Sequence, residues 1–368
     1  MARTEDWFWL TLGKIFSEDP APATSSIVDI SATDWEQVAA FSLRQLVAPE
    51  LYQRLLAADI ASAVPPCVFD ALEGAFELNQ LVQADLMRMF RDACAVANGA
   101  GASPIILKGG IDVIVPEWSI NRSRMVSDLD LMVEASAVDL VFRSLLKAGF
   151  RRDPLDLGED LSTHLRHAHH CPPLWHGEVH QYVELHERLG STEPERQLTA
   201  KMLHKALSMH SHGLDFRVPT AYDRIQHNAA HHCFRGMITN GERLAFRQLL
   251  DFYRLGRLWH SQCNSPVAID AGAVHPRIAS AIRISATLSR RVFSAHFQSG
   301  PLTASEIRTA NRMWRRIESP SFDRTYGRIK RIGRQIYRLK NWKKLFTTRF
   351  YNSKYKFYLN KKRLDDLI

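Results

Sequence analysis

The stretch VSDLDLMV at residues 126–133 places two carboxylates inside an otherwise apolar run. Successive side chains of a β-strand point to opposite faces of the sheet, so a strand here puts Asp128 and Asp130 on one face and Leu129 and Leu131 on the core face. Two adjacent carboxylates on a buried strand repel each other and lose hydration. A divalent cation compensates for both costs, and Mg²⁺ takes oxygen ligands. The alternative is a strand end at which both aspartates are simply hydrated.

A third carboxylate follows in a segment with the same alternation. In HQYVELH at residues 180–186, Val183 and Leu185 belong to the core face, and Glu184 belongs to the other face. This pattern predicts a strand that can bring Glu184 next to the aspartates. The carboxylates therefore predict an acidic cluster that holds metal ions.

A pair of glycines lies upstream of both acidic strands. The apolar run PIIL at residues 104–107 predicts a strand, and Lys108, Gly109 and Gly110 lead from it into an amphipathic stretch. Glycines at a strand-to-helix turn let backbone N–H groups approach a phosphate closely. A plain turn explains such a pair equally well, but the order of strand, glycines, acidic strand and Glu strand is far more specific.

Helical periodicity surrounds this central segment. The pattern predicts helices through the first hundred residues, a mixed sheet between residues 101 and 190, and helices again beyond Pro194. We therefore predict an N-terminal helical region (1–100), a core (101–190), a C-terminal helical domain (191–318) and a basic helical tail (319–368). The fold class expected is α+β, with a small mixed β-sheet flanked by helical regions.

The charge is distributed unevenly along the 368 residues. The chain has 48 Lys+Arg and 39 Asp+Glu, for a net charge of +9, and 19 of the basic residues but only 5 of the acidic ones lie in residues 301–368. Aromatic side chains alternate with the basic ones in the tail, which suits contact with a polyanion such as RNA. The alternative is a helical extension that packs against the acidic body of the chain.

Several classes of protein do not fit the composition. No apolar run approaches the roughly 20 residues that a membrane span needs. Glu5 and Asp6 stand where an export signal would be basic, so we expect a cytoplasmic protein. The five cysteines include no C-x-x-C pair. The motifs of a phosphate-binding P-loop (G-x-x-x-x-G-K-[ST]) and of a nucleophilic serine (G-x-S-x-G) do not occur.

Histidines are concentrated just before the Glu184 strand. Seven of them fall between His164 and His186, with Cys171 among them, and such clusters can bind zinc. Their spacing matches no regular zinc site, so we interpret them as loop and sheet-edge residues. His170 is expected near the substrate, and His186, on the strand face of Glu184, is expected behind the metal ligands.

The ordered motifs resemble a known family. LKGG at 107–110, RMVSDLDLMV at 124–133 and VELH at 183–186 are similar to the L-K-G, R-x-x-S-D-x-D-L and E-x-H succession of a bacterial family of uncharacterised nucleotidyltransferases, in the DNA-polymerase-β-like superfamily. The resemblance covers residues 30–260 and includes His227 and His231. It implies a nucleotidyltransferase palm between the helical regions.

The resemblance also implies a reaction. An NMP group would pass from an NTP, with ATP the expected donor, to a hydroxyl-type acceptor by a two-metal mechanism with Mg²⁺ or Mn²⁺. The metal ligands and catalytic residues would be Asp128, Asp130 and Glu184. The nucleotide-binding residues would be Lys108, Gly109, Gly110, Arg124 and Ser127. For Lys108, Arg124 and Ser127, pairing with the aspartates or anchoring of the sheet edge is an equal alternative.

The acceptor is left open by the sequence. A small molecule, a protein and a tRNA 3′ end all fit the chemistry. A toxin- or resistance-type transferase would share the mechanism and differ only in its acceptor, and a related kinase would release ADP rather than pyrophosphate. A non-catalytic module that binds a nucleotide or RNA is the alternative from a different class.

Overall fold

The computed structural model describes residues 4–17, 30–152, 161–177, 181–234, 245–263, 274–293 and 300–318. This part of the chain contains a single mixed sheet and helices that precede, interrupt and follow its strands along the chain, which confirms the predicted α+β fold. The predicted basic tail, residues 319–368, lies outside the described residues. None of the described helices combines the length and the apolarity that are needed to cross a bilayer.

Helices make up most of the described chain. The α-helices are α1 Glu5–Phe16, α2 Ala32–Arg44, α3 Ala48–Ala57, α4 Pro66–Gly99, α5 Gly110–Ile114, α6 Val138–Lys147, α7 Leu161–His167, α8 Glu193–Lys205, α9 Ala221–Ala230, α10 Phe246–Cys263, α11 Pro276–Phe293 and α12 Ala304–Glu318. Short 3₁₀ turns lie at Ala61–Ala63 and Pro116–Trp118.

The strands form one seven-stranded sheet with the order β3-β4-β5-β2-β1-β7-β6. They are β1 Ile105–Ile106, β2 Asp128–Met132, β3 Arg151–Arg152, β4 Leu174–Trp175, β5 Tyr182–His186, β6 Leu207–Ser211 and β7 Leu214–Val218. The two acidic strands, β2 and β5, are parallel neighbours near the centre of the sheet. β1 is antiparallel to β2 and parallel to β7, so the strand that precedes the glycine pair also lies next to an acidic strand.

One hairpin of the sheet contradicts the prediction that the chain is only helical beyond Pro194. β6 and β7 pair in antiparallel fashion and extend the sheet past the predicted limit at residue 190. His212 and Gly213 join them with φ angles of 53° and 74°, the two positive values that a two-residue hairpin turn of this hand requires. β6 is an edge strand with no buried residue, but both strands alternate apolar and polar side chains, as in Leu214–Val218 of β7, so the strand signal was present and the helical interpretation of this region overlooked it.

The described residues group into two compact units. One consists of the described parts of Met1–Leu78, His232–Tyr253 and Arg283–Ile368, and its core is rich in aromatic side chains. For example, the Trp9 ring lies edge-on to Phe246 at 5.2 Å between centroids. The other unit consists of the described parts of Asn79–His231 and Arg254–Ile282 and contains the whole sheet. The division at residues 100, 190 and 318 stays a prediction.

The apolar core of the sheet-containing unit packs against one face of both acidic strands. Leu129, Leu131, Val183 and Leu185 are at most 1% exposed, as the alternation in β2 and β5 predicts. They belong to one apolar cluster with residues from α4, α5 and α6. Burial of such side chains contributes roughly 1.5–3 kcal/mol each, which fixes the opposite face of both strands.

Candidate functional site

The centre of the sheet brings two carboxylates together. In the parallel ladder of β2 and β5, Asp130 is the register partner of Glu184, and Leu129 is the partner of Val183. Side chains at paired positions stand on the same face of the sheet, about 5 Å apart at their Cβ atoms. Asp130 is 1% exposed, and Glu184 is partly exposed. The ladder register therefore sets the spacing of the two acids.

His186 completes a cluster with these two acids. It lies two residues after Glu184 on β5 and is 1% exposed. Its Nε2 lies 2.8 Å from Oδ1 of Asp130 and 3.6 Å from Oε2 of Glu184. Among the described residues, ligand atoms of Asp130, Glu184 and His186 all lie within 4.8 Å of one another, which is close enough to surround one metal ion. This set of donors fits a divalent cation.

Lys108 enters the cluster through an unusual backbone conformation. Its φ angle of 49° lies in the left-handed region, which is costly for a residue with a side chain. Its Nζ lies 2.6 Å from Oδ1 of Asp130. Burial acts to lower the pKa of Lys108, but the charges of Asp130 and Asp128 outweigh it and raise that pKa. Lys108 is therefore a charged partner of Asp130, one of the two alternatives that the sequence left open.

Asp128 lies at the start of β2, less deeply buried than Asp130. The hydroxyl of Ser127 donates a hydrogen bond of 3.0 Å to its Oδ1. Burial, followed by the negative charge of Asp130, raises the pKa of Asp128 to about 6. The ionised form of Asp128 is therefore unfavourable in this environment, and a bound cation would stabilise it.

The two deeper acids are held in their ionised form. Burial alone would raise the pKa of Asp130, but the charge of Lys108 and the hydrogen bond with His186 hold it well below its usual range. For Glu184, burial is likewise outweighed, chiefly by the imidazole of His186 at 3.6 Å, and the pKa is lowered. Burial acts to lower the pKa of His186, but its hydrogen bond with Asp130 and the nearby carboxylate of Glu184 outweigh burial and raise that pKa. Three carboxylates thus share one ammonium and one imidazole.

His170 lies at the edge of the same cluster. It forms an isolated antiparallel bridge with His186 and places its Nε2 3.9 Å from Oε2 of Glu184. Its Nδ1 lies 2.7 Å from the carbonyl oxygen of Cys171, and burial lowers its pKa. The ring of His169 lies edge-on to that of His170 at 4.5 Å. His170 therefore lies beside Glu184, and its expected place near the substrate stays a prediction.

Other histidines that the sequence singled out have different surroundings. The Nδ1 of His176 lies 3.1 Å from Asp92, and its ring stacks on Phe150. Neither of these contacts involves the three carboxylates of β2 and β5. His180 lies outside the described residues. On α9, burial and the nearby charge of Lys108 lower the pKa of His227 well below its usual value. The sequence indicated His227 only through the family resemblance, because its helix is far from the acidic strands along the chain.

Arg124 is paired inside the protein. Its Nε lies 3.6 Å from Oδ2 of Asp112, a carboxylate 3% exposed that also binds Arg224 at 3.1 Å. A Cβ placed on Gly109 would lie only 1.7 Å from a terminal nitrogen of Arg124, so the absence of a side chain at Gly109 makes room for this guanidinium. The Asp112 cluster, meaning Asp112, Arg124 and Arg224, has no signal in the sequence, because its members lie on separate turns and helices.

Gly110 has a packing role as well. A Cβ on Gly110 would lie 3.0 Å from Ile106 and 3.4 Å from Leu129, so α5 begins in close contact with the sheet. α5 has only five residues. A phosphate-cradling role for Gly109 and Gly110 stays a prediction.

The comparisons with known proteins agree with the motifs. A family described as uncharacterised nucleotidyltransferases matches residues 31–294, well over half of the chain, and the chain belongs to this family. Neither a curated protein nor a solved structure matches the sequence. Membership supports transfer of a nucleotidyl group as the general activity.

Proposed function

We propose that this member of the uncharacterised nucleotidyltransferases transfers an NMP group from an NTP, ATP in the first instance, to a hydroxyl-type acceptor. One observation carries the proposal beyond the family description: Asp130 and Glu184 occupy paired positions of two parallel strands and converge with His186 in one cluster. Asp128 adds a third carboxylate at the start of the same strand. The excess of carboxylates over cationic side chains supports a divalent cation, Mg²⁺ or Mn²⁺, as the missing counter-charge.

The three carboxylates have separate roles in the proposed reaction. Asp128, Asp130 and Glu184 would hold the divalent cation, which supplies neutralisation of the charge on the polyphosphate. Glu184, the more exposed of the two paired acids, orients the acceptor hydroxyl and accepts its proton. The hydroxyl oxygen bonds to the α-phosphorus, and the bond from that phosphorus to the bridging oxygen breaks, so pyrophosphate leaves with the electron pair.

Lys108 supports the polyphosphate in this proposal. Its side chain is 28% exposed while its Nζ contacts Asp130, so the ammonium stands at the boundary between the buried acid and the solvent. An ammonium at this position can shift from the carboxylate to a phosphate oxygen. Arg124 acts indirectly, because its contacts with Asp112 and Gly109 hold the turn that carries Lys108.

The experiment is incubation of the full chain with each α-labelled NTP and Mg²⁺ or Mn²⁺, with candidate acceptors and with water alone. Pyrophosphate release with water as acceptor requires no knowledge of the true acceptor. Replacing both Asp128 and Asp130 by Ala is expected to reduce labelling and pyrophosphate release on the order of 10³-fold or more. Asp139→Ala is the control, since Asp139 is exposed and pairs across a helix turn with Arg143.

The outcomes separate the alternatives. Equal activity of the wild type and the double variant would overturn the catalytic assignment. Binding of an NTP without turnover under every acceptor condition would favour a non-catalytic module, and release of ADP would indicate a kinase. Truncation at Ser319 tests the basic tail: unchanged binding of labelled tRNA would exclude a role for the tail in binding that RNA.

A further inference from the structure

The cluster beside Glu184 contains nitrogen donors as well as oxygen donors. We propose that His186 ligates the divalent cation directly, together with Asp130 and Glu184, and that the site consequently prefers Mn²⁺ to Mg²⁺. This inference deepens the proposed function, since it names the metal class of the same site.

The geometry supports direct ligation by His186. Its Nε2 faces both acids, at 2.8 Å from Asp130 and 3.6 Å from Glu184, and no protein atom needs to move far for all three to reach one ion. His186 is 1% exposed, and the β2–β5 ladder fixes its backbone as the register partner of Met132. The imidazole is therefore held in place at the cluster.

A second nitrogen faces the same acid. Because a carbonyl oxygen only accepts hydrogen bonds, the contact with Cys171 assigns a donated proton to Nδ1 of His170. In the neutral ring, Nε2 then carries a lone pair, and it lies 3.9 Å from Oε2 of Glu184. Donation of the second ring N–H to a backbone carbonyl is the arrangement that orients histidines at metal sites. His170 thus stands at the edge of the site, whereas His186 is the ring grouped with Asp130 and Glu184 and the one proposed as the ligand.

The donor set determines the preferred ion. Mg²⁺ favours oxygen ligands in regular octahedral geometry and gives up its water reluctantly. Imidazole suits first-row transition metals, and at a mixed nitrogen and oxygen site their affinity exceeds that of Mg²⁺.

The decisive experiment is pulsed electron paramagnetic resonance of Mn²⁺ added to the full chain without nucleotide. Protein with natural ¹⁴N histidine should show a nitrogen modulation from a directly bound ring, and protein grown with ¹⁵N-histidine should show that modulation replaced by the ¹⁵N pattern. This comparison uses the wild-type sequence, so it does not depend on any variant folding. Bound Mn²⁺ with no histidine nitrogen coupling would overturn the proposal.

Substitutions then assign the ring and test the preference. Wild-type protein should bind Mn²⁺ at least about tenfold more tightly than Mg²⁺, measured by competition in calorimetry. His186→Gln should remove the nitrogen coupling and weaken Mn²⁺ binding about tenfold or more, with a smaller effect on Mg²⁺. His176→Gln is the matched control, because His176 is paired with Asp92 away from the cluster. Retention of the coupling in His186→Gln would refute the role of His186.

The same measurements keep the two proposals separable. Nitrogen coupling in a protein that never releases pyrophosphate would sustain the metal site and reject nucleotidyl transfer. Metal-dependent transfer with no nitrogen coupling would sustain the proposed function and reject ligation by His186. Equal affinities for Mn²⁺ and Mg²⁺ would reject the proposed preference.

Discussion

Asp112 on α5 and Asp130 on β2 are both buried carboxylates of the sheet-containing unit, 3% and 1% exposed. Asp112 contacts two guanidinium groups and also accepts a hydrogen bond of 2.9 Å from the backbone of Ile120. Asp130 contacts one ammonium and one imidazole, but it shares them with Asp128 and Glu184. The Asp112 cluster has more positive than negative side chains, and the cluster around Asp130 has an excess of carboxylates.

This difference is what the proposed function predicts between a structural acid, Asp112, and a metal-binding acid, Asp130. At Asp112 the protein supplies the whole counter-charge, so the cluster joins α5, the turn before β2 and α9. At Asp130 the protein leaves negative charge in excess, which costs stability unless an external cation binds. Burial alone does not distinguish the two sites, but the balance of charge around each acid does.

The largest effect should come from breaking the structural cluster. Asp112→Asn leaves two buried guanidinium groups without their carboxylate, so we expect the free energy of unfolding to fall by about 3–5 kcal/mol in urea denaturation. Asp139→Asn, at the exposed pair with Arg143, should change it by less than about 1 kcal/mol. If Asp112→Asn unfolds at the wild-type urea concentration, the assignment of Asp112 as a structural acid is wrong.

A smaller loss should follow from crowding Arg124. Gly109→Ala places a methyl group 1.7 Å from the guanidinium and should weaken its contact with Asp112, at a cost of about 1–3 kcal/mol in the same assay. Gly110→Ala meets Ile106 at 3.0 Å and should cost less. Gly99→Ala, on α4 with open space around it, serves as the control and should cost nothing. Equal stability of the Gly109 and Gly99 variants would contradict this packing.

Removal of a carboxylate from the proposed metal site should change stability in the opposite direction. The pKa of Asp128 is raised to about 6 in the folded protein. At pH 7 both the folded and the unfolded chain carry the ionised carboxylate, and folding must bear the cost of burying its charge. In metal-free buffer, Asp128→Asn should therefore stabilise the protein by about 1–2 kcal/mol at pH 7.

The pH dependence of that gain follows from the two states of Asp128. Below the ordinary pKa of an aspartate, Asp128 is protonated in both the folded and the unfolded chain, so the gain in stability should vanish near pH 4. Between that pKa and pH 6, Asp128 is protonated in the folded chain and ionised in the unfolded chain, so wild-type stability falls as the pH rises. A destabilised Asp128→Asn at pH 7, measured in chelator, would show that Asp128 is a structural acid like Asp112.

The smallest effect expected is a change in metal affinity. Lys108→Met removes the ammonium 2.6 Å from Asp130, so Mn²⁺ binding without nucleotide should become about tenfold tighter, while NTP binding weakens. Lys201→Met is the control, since Lys201 pairs with Asp223 on another helix. Weaker Mn²⁺ binding in Lys108→Met would mean that Lys108 supports the cation site instead of competing for Asp130.

Much of the site follows from the two-residue period of a strand. The alternation in β2 and β5 is enough to place Asp128, Asp130 and Glu184 on the polar face and the leucines in the core, because a strand has only two faces. The same period places His186 on the face of Glu184. The hairpin of β6 and β7 was not predicted although β7 has the same period, with Phe216 and Val218 buried, because two strands of five residues are short beside the helices that surround them.

The tertiary structure decided which charges meet. Nothing local to the sequence determines that Asp130 pairs in register with Glu184, that Lys108 turns back through a φ of 49°, or that Arg124 binds Asp112. Each depends on strand register or on packing between segments far apart in the chain. The sequence alone thus determined the type of chemistry, through residue types and their period. The partners of each charge were determined by folding, because Coulomb interactions act over distances in space and not along the chain.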